Sequence, residues 1–258
     1  MITIVLYVDA TDKRTQYLLE VLSGMGHTVS SFKPTDEPIC LIVSPSKKPT
    51  QLMDYIELLA SGSVLIGGQR CEQIESVAAE KGITYINAAD DESFAIKNAV
   101  PTAEGAIMLL IRETERTVMG QRIALTGFGR INRVLAPMLS AMGARVSVFA
   151  RSATDLALAA RYETHHISML DKLACGYDAL INTVPARILS NECIDMMNPD
   201  MLLMELASAP YGFDMDHAEM RGIKCILAPG LPSVAAPYSA AVYLCEAILS
   251  KLEVIGYV

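Results

Sequence analysis

Residues 121–151, QRIALTGFGRINRVLAPMLSAMGARVSVFAR, decide the fold. Ile123, Ala124 and Leu125 make a short buried strand, and Gly127-Phe128-Gly129 follows at once. Apolar residues then recur at Ile131, Val134, Leu135, Met138, Leu139 and Met142, the spacing of one buried face on a helix that opens at Arg130. Gly143 stops that helix, and Val146 and Val148 alternate into a second strand. A strand, a glycine turn, a helix and a strand in that order begin a doubly wound α/β sheet.

A glycine pair at that turn lets the backbone bend sharply and lets a pyrophosphate approach bare N–H groups at the helix N-terminus. The third glycine of a GxGxxG pattern is replaced by Asn132, so the flanking strand and helix carry the assignment. Gly127, Phe128, Gly129, Arg130 and Ile131 are the expected pyrophosphate loop. A tight structural turn in an α/β fold is the other reading. An NAD site carries Asp or Glu at the end of the second strand, about 20 residues past the glycines. Here that place holds Ala150, Arg151 and Ser152. No carboxylate repels a 2′-phosphate there and a guanidinium can pair with one, which favours NADP over NAD. The alternative is that Arg151 is a solvated strand end.

At 258 residues the chain suits one large or two small domains. Hydrophobic residues make up 52% and mean hydropathy is +0.32, enough for a large aliphatic core with apolar surface left for a homodimer interface. A net charge of −8 excludes a general nucleic-acid binder, because phosphate affinity needs a basic field. Six cysteines at positions 40, 71, 175, 193, 225 and 245 show no metal-ligand spacing and fit reduced thiols in a cytoplasmic protein. Residues 2–8 lack a basic leader, so no signal peptide is read, and no apolar run approaches the ~20 residues of a membrane span.

In chain order, strands are expected at residues 2–8, 27–32, 38–44, 64–67 and 83–86, with helices at 14–24, 51–60 and 71–81 between them. Alternation of this kind predicts a parallel sheet, so residues 1–97 form a flavodoxin-like α/β lobe on the substrate side. Val100-Pro101-Thr102-Ala103-Glu104 reads as the capped start of a helix over 98–119 that joins the lobes. The second, Rossmann lobe spans 120–236, with strands at 179–182, 201–206 and 225–227 and helices at 153–162 and 214–221. His165 and His166 fall in an expected loop. The helix over 237–258 packs back on the first lobe. Asn182, Thr183, Val184 and Pro185, and then Leu206 and Ala207, stand at carboxyl ends of strands, where a doubly wound sheet holds its ligand. The nicotinamide is expected there.

Six ordered segments resemble the family of dipicolinate synthase A subunits, which make pyridine-2,6-dicarboxylate in spore-forming bacteria. They are Pro101-Thr102-Ala103-Glu104-Gly105, Gly127-Phe128-Gly129-Arg130, Ala150-Arg151-Ser152, Ile181-Asn182-Thr183-Val184-Pro185, Leu206-Ala207-Ser208 and Leu227-Ala228-Pro229-Gly230-Leu231-Pro232. The resemblance implies a sporulation oxidoreductase that uses a nicotinamide cofactor to oxidise dihydrodipicolinate, a small dicarboxylate, and works with the flavoprotein-like B subunit of dipicolinate synthase. It also adds Gly230, Leu231 and Pro232 to the cofactor site. Glu104 is then the candidate base with Thr102 beside it; a first-turn carboxylate favoured by the helix dipole is the other reading. Arg14, Asp12, Ser208, Gly212, Asp214 and Ser233 are the candidate substrate contacts, with an exposed first-turn side chain as the alternative for Arg14.

The chain departs from that family at Pro210-Tyr211-Gly212-Phe213-Asp214, where Pro-Gly-Gly-Thr-Asp is usual, and at Ala209, Ser233 and Tyr238. Two cationic positions are thereby lost. Another NADP-dependent two-domain dehydrogenase with an altered substrate, and a non-catalytic nucleotide-binding protein, are the rival readings.

Overall fold

Every described strand lies in one of two parallel sheets, because successive strands within each sheet are joined by a crossover helix or loop. The computed structural model describes residues 5–68 and 71–257. The chain divides into two compact units, residues 1–101 with 232–258, and residues 102–231.

The first unit runs β1 (Val5–Val8), α1 (Lys13–Gly24), β2 (Thr28–Ser31), β3 (Cys40–Ile42), α2 (Pro49–Leu58), β4 (Val64–Gly67), α3 (Glu72–Glu80) and β5 (Thr84–Asn87). Of the strand expected over 2–8, residues 2–4 lie outside the described residues. The sheet order is β2-β1-β3-β4-β5, all parallel, the flavodoxin-like winding. Strand side chains alternate between faces. Leu6, Val8, Cys40, Ile42 and Ile66 meet Leu18 and Leu22 of α1 on one face. Leu41, Val43 and Leu65 meet Leu52, Ile56, Ile74 and Ala78 of α2 and α3 on the other. Leu18 and Leu22 are fully buried, worth about 1.5–3 kcal/mol each.

Helix α4 (Glu92–Thr114) corrects one expectation. The Pro101-Thr102 pair does not start it; the helix begins well before that pair and runs through Pro101. Its cap is Asp91, whose carboxylate accepts from the Phe94 amide at 2.7 Å. Phe94 and Ala99 are buried before the proline, and Ala103, Ala106 and Leu110 after it, so packing along the whole length outweighs the backbone bond that Pro101 cannot make. The helix ends at Thr114, short of 119. By length and composition alone α4 could cross a membrane, yet its second half lies in the core of the second unit.

The second unit continues with β6 (Arg122–Thr126), α5 (Arg130–Ala141), β7 (Arg145–Ala150), α6 (Ala153–Leu158), β8 (Glu163–His166), α7 (Leu170–Leu173), β9 (Ala179–Asn182), α8 (Asn191–Asp195), β10 (Leu202–Glu205), α9 (Met215–Met220) and β11 (Lys224–Leu227). Its order, β11-β10-β9-β6-β7-β8, is the Rossmann order with a switch point between β6 and β9. Leu135, Ala136 and Leu139 of α5 pack with the α4 residues on one face of this sheet. Leu170, Cys193, Ile194 and Ala218 cover the other. His165 and His166 end β8 rather than occupying a loop. His165 stacks on Phe149 at 5.0 Å and pairs with Glu163 at 3.1 Å.

Two helices close the chain, α10 (Pro232–Ala235) and α11 (Pro237–Val254). α11 buries Ala241, Leu244, Ile248 and Leu252 against α1 and the first sheet, completing the first unit.

Candidate functional site

Strand β6 stops at Thr126 and α5 starts at Arg130, leaving Gly127, Phe128 and Gly129 to make the turn. Gly127 has φ +75°, and a Cβ there would meet Val184 Cγ2 at 3.0 Å, so both backbone and space demand glycine. Gly129 is different. Its backbone is extended, and nothing described in the protein lies within 4 Å of where its Cβ would be. The chain's own packing gives no reason for glycine at 129. What the missing side chain does provide is an open approach to the N-terminus of α5, which no side chain caps. An uncapped N-terminus of a 12-residue helix carries free N–H groups and partial positive charge, so these residues fit a pyrophosphate. Phe128 contributes only backbone, since its ring is buried beside Tyr162. Arg130 is exposed and Ile131 half-buried on the first turn.

Asn132 takes the third glycine's place and is fully buried. Its Nδ2 donates to the carbonyl oxygens of Thr126 and Gly127 at 2.9 and 2.8 Å, and to Thr183 Oγ1 at 3.1 Å. Thr183 Oγ1 in turn donates to the Thr126 carbonyl at 2.7 Å. Glycine in that position allows close packing of helix on strand. Asn132 fastens the same two elements by hydrogen bonds instead.

A groove of about 550 Å³ opens beside this turn at the ends of β6, β7 and β9. Gly127, Ala150, Arg151, Ser152, Val184 and Pro185, all expected from sequence, line it together. Arg151 is exposed and forms no ion pair among the described residues. Sequence reasoning missed Ser168 and Arg187, which also line the groove. Arg187 lies just beyond Pro185, and a cation that close to a strand end was the available signal. Its Nη2 stands 3.4 Å from Asp214 Oδ2, and Arg187 also borders a second groove of about 500 Å³ with Tyr211 and Phe213. The carboxylate on the first groove's lining, Asp155, is paired with Arg133 at 3.2 Å. The groove therefore presents two guanidinium groups and one neutralised carboxylate, a setting suited to an anionic group.

Beneath the strand ends lies a polar network. Thr126 Oγ1 donates to Asn182 Oδ1 at 2.5 Å, and Asn182 Nδ2 donates to both Glu205 oxygens at 2.8 Å. The amides of Ala207 and Gly212 each donate to Glu205 at 2.8 Å. Glu205 is fully buried. Burial pushes its carboxyl above the ordinary value, while hydrogen bonds from Gly212, Asn182 and Ala207 pull it back in part. A Cβ on Gly212 would meet Asn182 Nδ2 at 2.4 Å, so that glycine closes the network. Neither Glu205 nor its relation to Asn182 was read from sequence, because strand-end tripeptides show no cross-strand partners.

Other expected residues sit elsewhere. Ser208 is exposed just beyond Ala207, and half-buried Leu206 packs on the core. Asp214 caps α9 by accepting from the His217 amide at 3.1 Å. Leu231 is buried in the second unit just after Gly230, which turns with φ +68°; Pro232, also buried, and Ser233 open α10 in the first. Thr102 is half-buried and Glu104 exposed. Because α4 starts at Glu92, Glu104 is no first-turn carboxylate, and that alternative is removed. Arg14 is not an exposed first-turn side chain either: it is 2% exposed, with Nη2 donating to Ser44 and Ser46 at 3.3 and 3.1 Å. Asp12 caps α1, accepting from the Thr15 amide at 2.8 Å. Burial alone would raise the Asp12 carboxyl, but Ser44, Thr15 and the charge of Arg14 together hold it below its ordinary value.

Comparison with known proteins agrees with this geometry. Residues 104–211 match the family model of the D-isomer specific 2-hydroxyacid dehydrogenase NAD binding domain. The A subunit of dipicolinate synthase from Bacillus subtilis (strain 168) is 34% identical over 220 residues, 84% of this chain and 74% of that protein. The crystal structure of the dipicolinate synthase A subunit from Bacillus halodurans superposes with TM-score 0.83 at 26% identity, over 97% of each chain. The crystal structure of the Bacillus subtilis protein does so with TM-score 0.81 at 27% identity, over 98% of this chain and 96% of that one.

Proposed function

Because the chain belongs to the family of dipicolinate synthase A subunits and is an oxidoreductase with a nicotinamide-dinucleotide domain, we propose that it oxidises dihydrodipicolinate to dipicolinate with NADP. One observation carries the choice of NADP over NAD: the groove beside Gly127 is lined by unpaired Arg151 and by Arg187, and its one carboxylate, Asp155, is held by Arg133. A ribose 2′-phosphate satisfies two guanidinium groups that a 2′-hydroxyl does not.

When bound, the nicotinamide supplies the hydride acceptor. Gly127 and Gly129 admit the pyrophosphate to the start of α5, and Asn132 holds that turn against β6. The dihydropyridine substrate gives up a hydride and a proton, and its ring becomes aromatic. Aromatisation provides much of the driving force, so a single base suffices. Glu104, exposed on α4, is the proposed proton acceptor with Thr102 beside it. Ser208 and Asp214 on the loop after β10, and Ser233 on α10, are proposed substrate contacts, while Arg14 with Asp12 orders the loop of Ser44 and Ser46 in the first unit. In keeping with the family, the proposed role is in sporulating cells with a flavoprotein-like B subunit; the hydrophobic content supports a homodimer, and thiols without metal-ligand spacing support a cytoplasmic protein.

Titration of the purified protein with NADPH and NADH tests the cofactor reading. Tighter NADPH binding is expected. Equal affinities would leave NAD as the cofactor and remove the argument from Arg151 and Arg187.

A further inference from the structure

Glu205 is a fully buried carboxyl group with no ion-pair partner among the described residues, held by Asn182, Ala207 and Gly212, which stand where the nicotinamide and substrate are expected. Its two oxygens accept from Asn182 Nδ2, which reaches both, and from the amides of Ala207 and Gly212, all at 2.8 Å. Every partner is a donor, so a proton on either oxygen would have no acceptor to face. No cation is among the groups that act on this carboxylate. Uncompensated charge at full burial is costly and its field is poorly screened.

Its place in the sheet gives that field a target. Glu205 is the last residue of β10, paired with Asn182 at the end of β9. A doubly wound sheet holds the two halves of a dinucleotide on either side of its switch point. The groove with Arg151 marks the adenosine half over β6 and β7, which leaves the nicotinamide half over the ends of β9 and β10.

We propose that Glu205 biases the cofactor site toward the oxidised, cationic nicotinamide and against the neutral reduced ring. This rests on the dinucleotide reading above. It favours loading of NADP⁺ and release of NADPH, the direction in which aromatisation of a dihydropyridine runs.

The test is the ratio of Kd values for NADP⁺ and NADPH, measured by calorimetry without substrate. In Glu205→Gln the preference for NADP⁺ falls by about tenfold, equivalent to about 1.4 kcal/mol. In Glu205→Asp, which keeps the charge and loosens the loops, both affinities fall together and the ratio holds. A purely structural role would change both affinities equally in both variants, and an unchanged ratio in Glu205→Gln overturns the proposal. If that variant does not fold, the wild-type protein decides: NADP⁺ must bind more tightly than NADPH, and the reverse order overturns it. Binding of neither cofactor to the wild type defeats the dinucleotide reading itself and this inference with it, a result distinct from binding of both without preference.

Discussion

The side-chain nitrogen of Asn132 donates to the carbonyl oxygen of Gly127 across 2.8 Å, so the residue that breaks the glycine motif also holds the glycine turn in place. Asn132→Ala removes this bond together with the one to Thr126. A loss of about 1–3 kcal/mol of stability is expected for buried hydrogen bonds of this kind. Urea denaturation measures it, and an unchanged midpoint would mean that Asn132 is no fastener.

The role proposed for Arg151 concerns the phosphorylated nucleotide alone. Arg151→Ala should weaken NADPH by about ten- to a hundredfold, the range of a charge-assisted hydrogen bond worth about 1.5–3 kcal/mol, and leave NADH nearly untouched. Arg187→Ala should act in the same direction but less, because Asp214 shares its guanidinium. Equal losses for the two cofactors would contradict this.

Arg14 is a packed part of the first unit, and its removal should show as lost stability as well as a raised substrate KM. Arg14→Ala empties a buried position and leaves Ser44 and Ser46 without their donor, at a cost of about 2 kcal/mol or more. Cofactor affinity should hold, since the nucleotide groove lies in the other unit. Unfolding and steady-state measurements on the same preparation separate the three effects. A native midpoint with an unchanged KM would dismiss Arg14 from both roles.

Acid should weaken the first unit through Asp12. Its folded carboxyl titrates below the ordinary value of 3.8, so the stability it confers is fully present above that value and is lost as pH falls through the lower, folded one. The stability difference between wild type and Asp12→Asn should therefore be constant at neutral pH and shrink below about pH 4. A difference that persists undiminished into strong acid would contradict this account.

Much of the fold was legible because its signals are local. Residues 64–67 and 179–182 form the strands that their apolar runs and flanking turns predict, and Gly143 ends α5 just after its last turn. Pro101-Thr102 misled because a cap signature says nothing about tertiary packing: Phe94 and Ala99 are buried on the turns before the proline, and Asp91 is the true cap. The histidines of β8 were misread because a four-residue, half-exposed edge strand carries little apolar pattern.

The site divides in the same way. Gly127, Ala150, Arg151, Ser152, Val184 and Pro185 were found because each sits at a strand end that periodicity locates. Arg187 lies in an irregular loop. Glu205 reads as one more polar residue until the sheet sets β10 beside β9 and Asn182 against its carboxylate. Contacts made across strands leave no mark in the order of residues.

Hydride transfer from a dihydropyridine dicarboxylate to NADP is the proposed reaction. The most direct measurement follows NADPH formation after mixing the protein and NADP⁺ with freshly generated dihydrodipicolinate, with and without the flavoprotein-like partner. The account predicts that NADPH appears in step with dipicolinate, one for one, and that Glu104→Gln slows the turnover without weakening cofactor binding. A protein that binds NADPH yet transfers no hydride under either condition would contradict it and leave a nucleotide-binding protein without chemistry of its own.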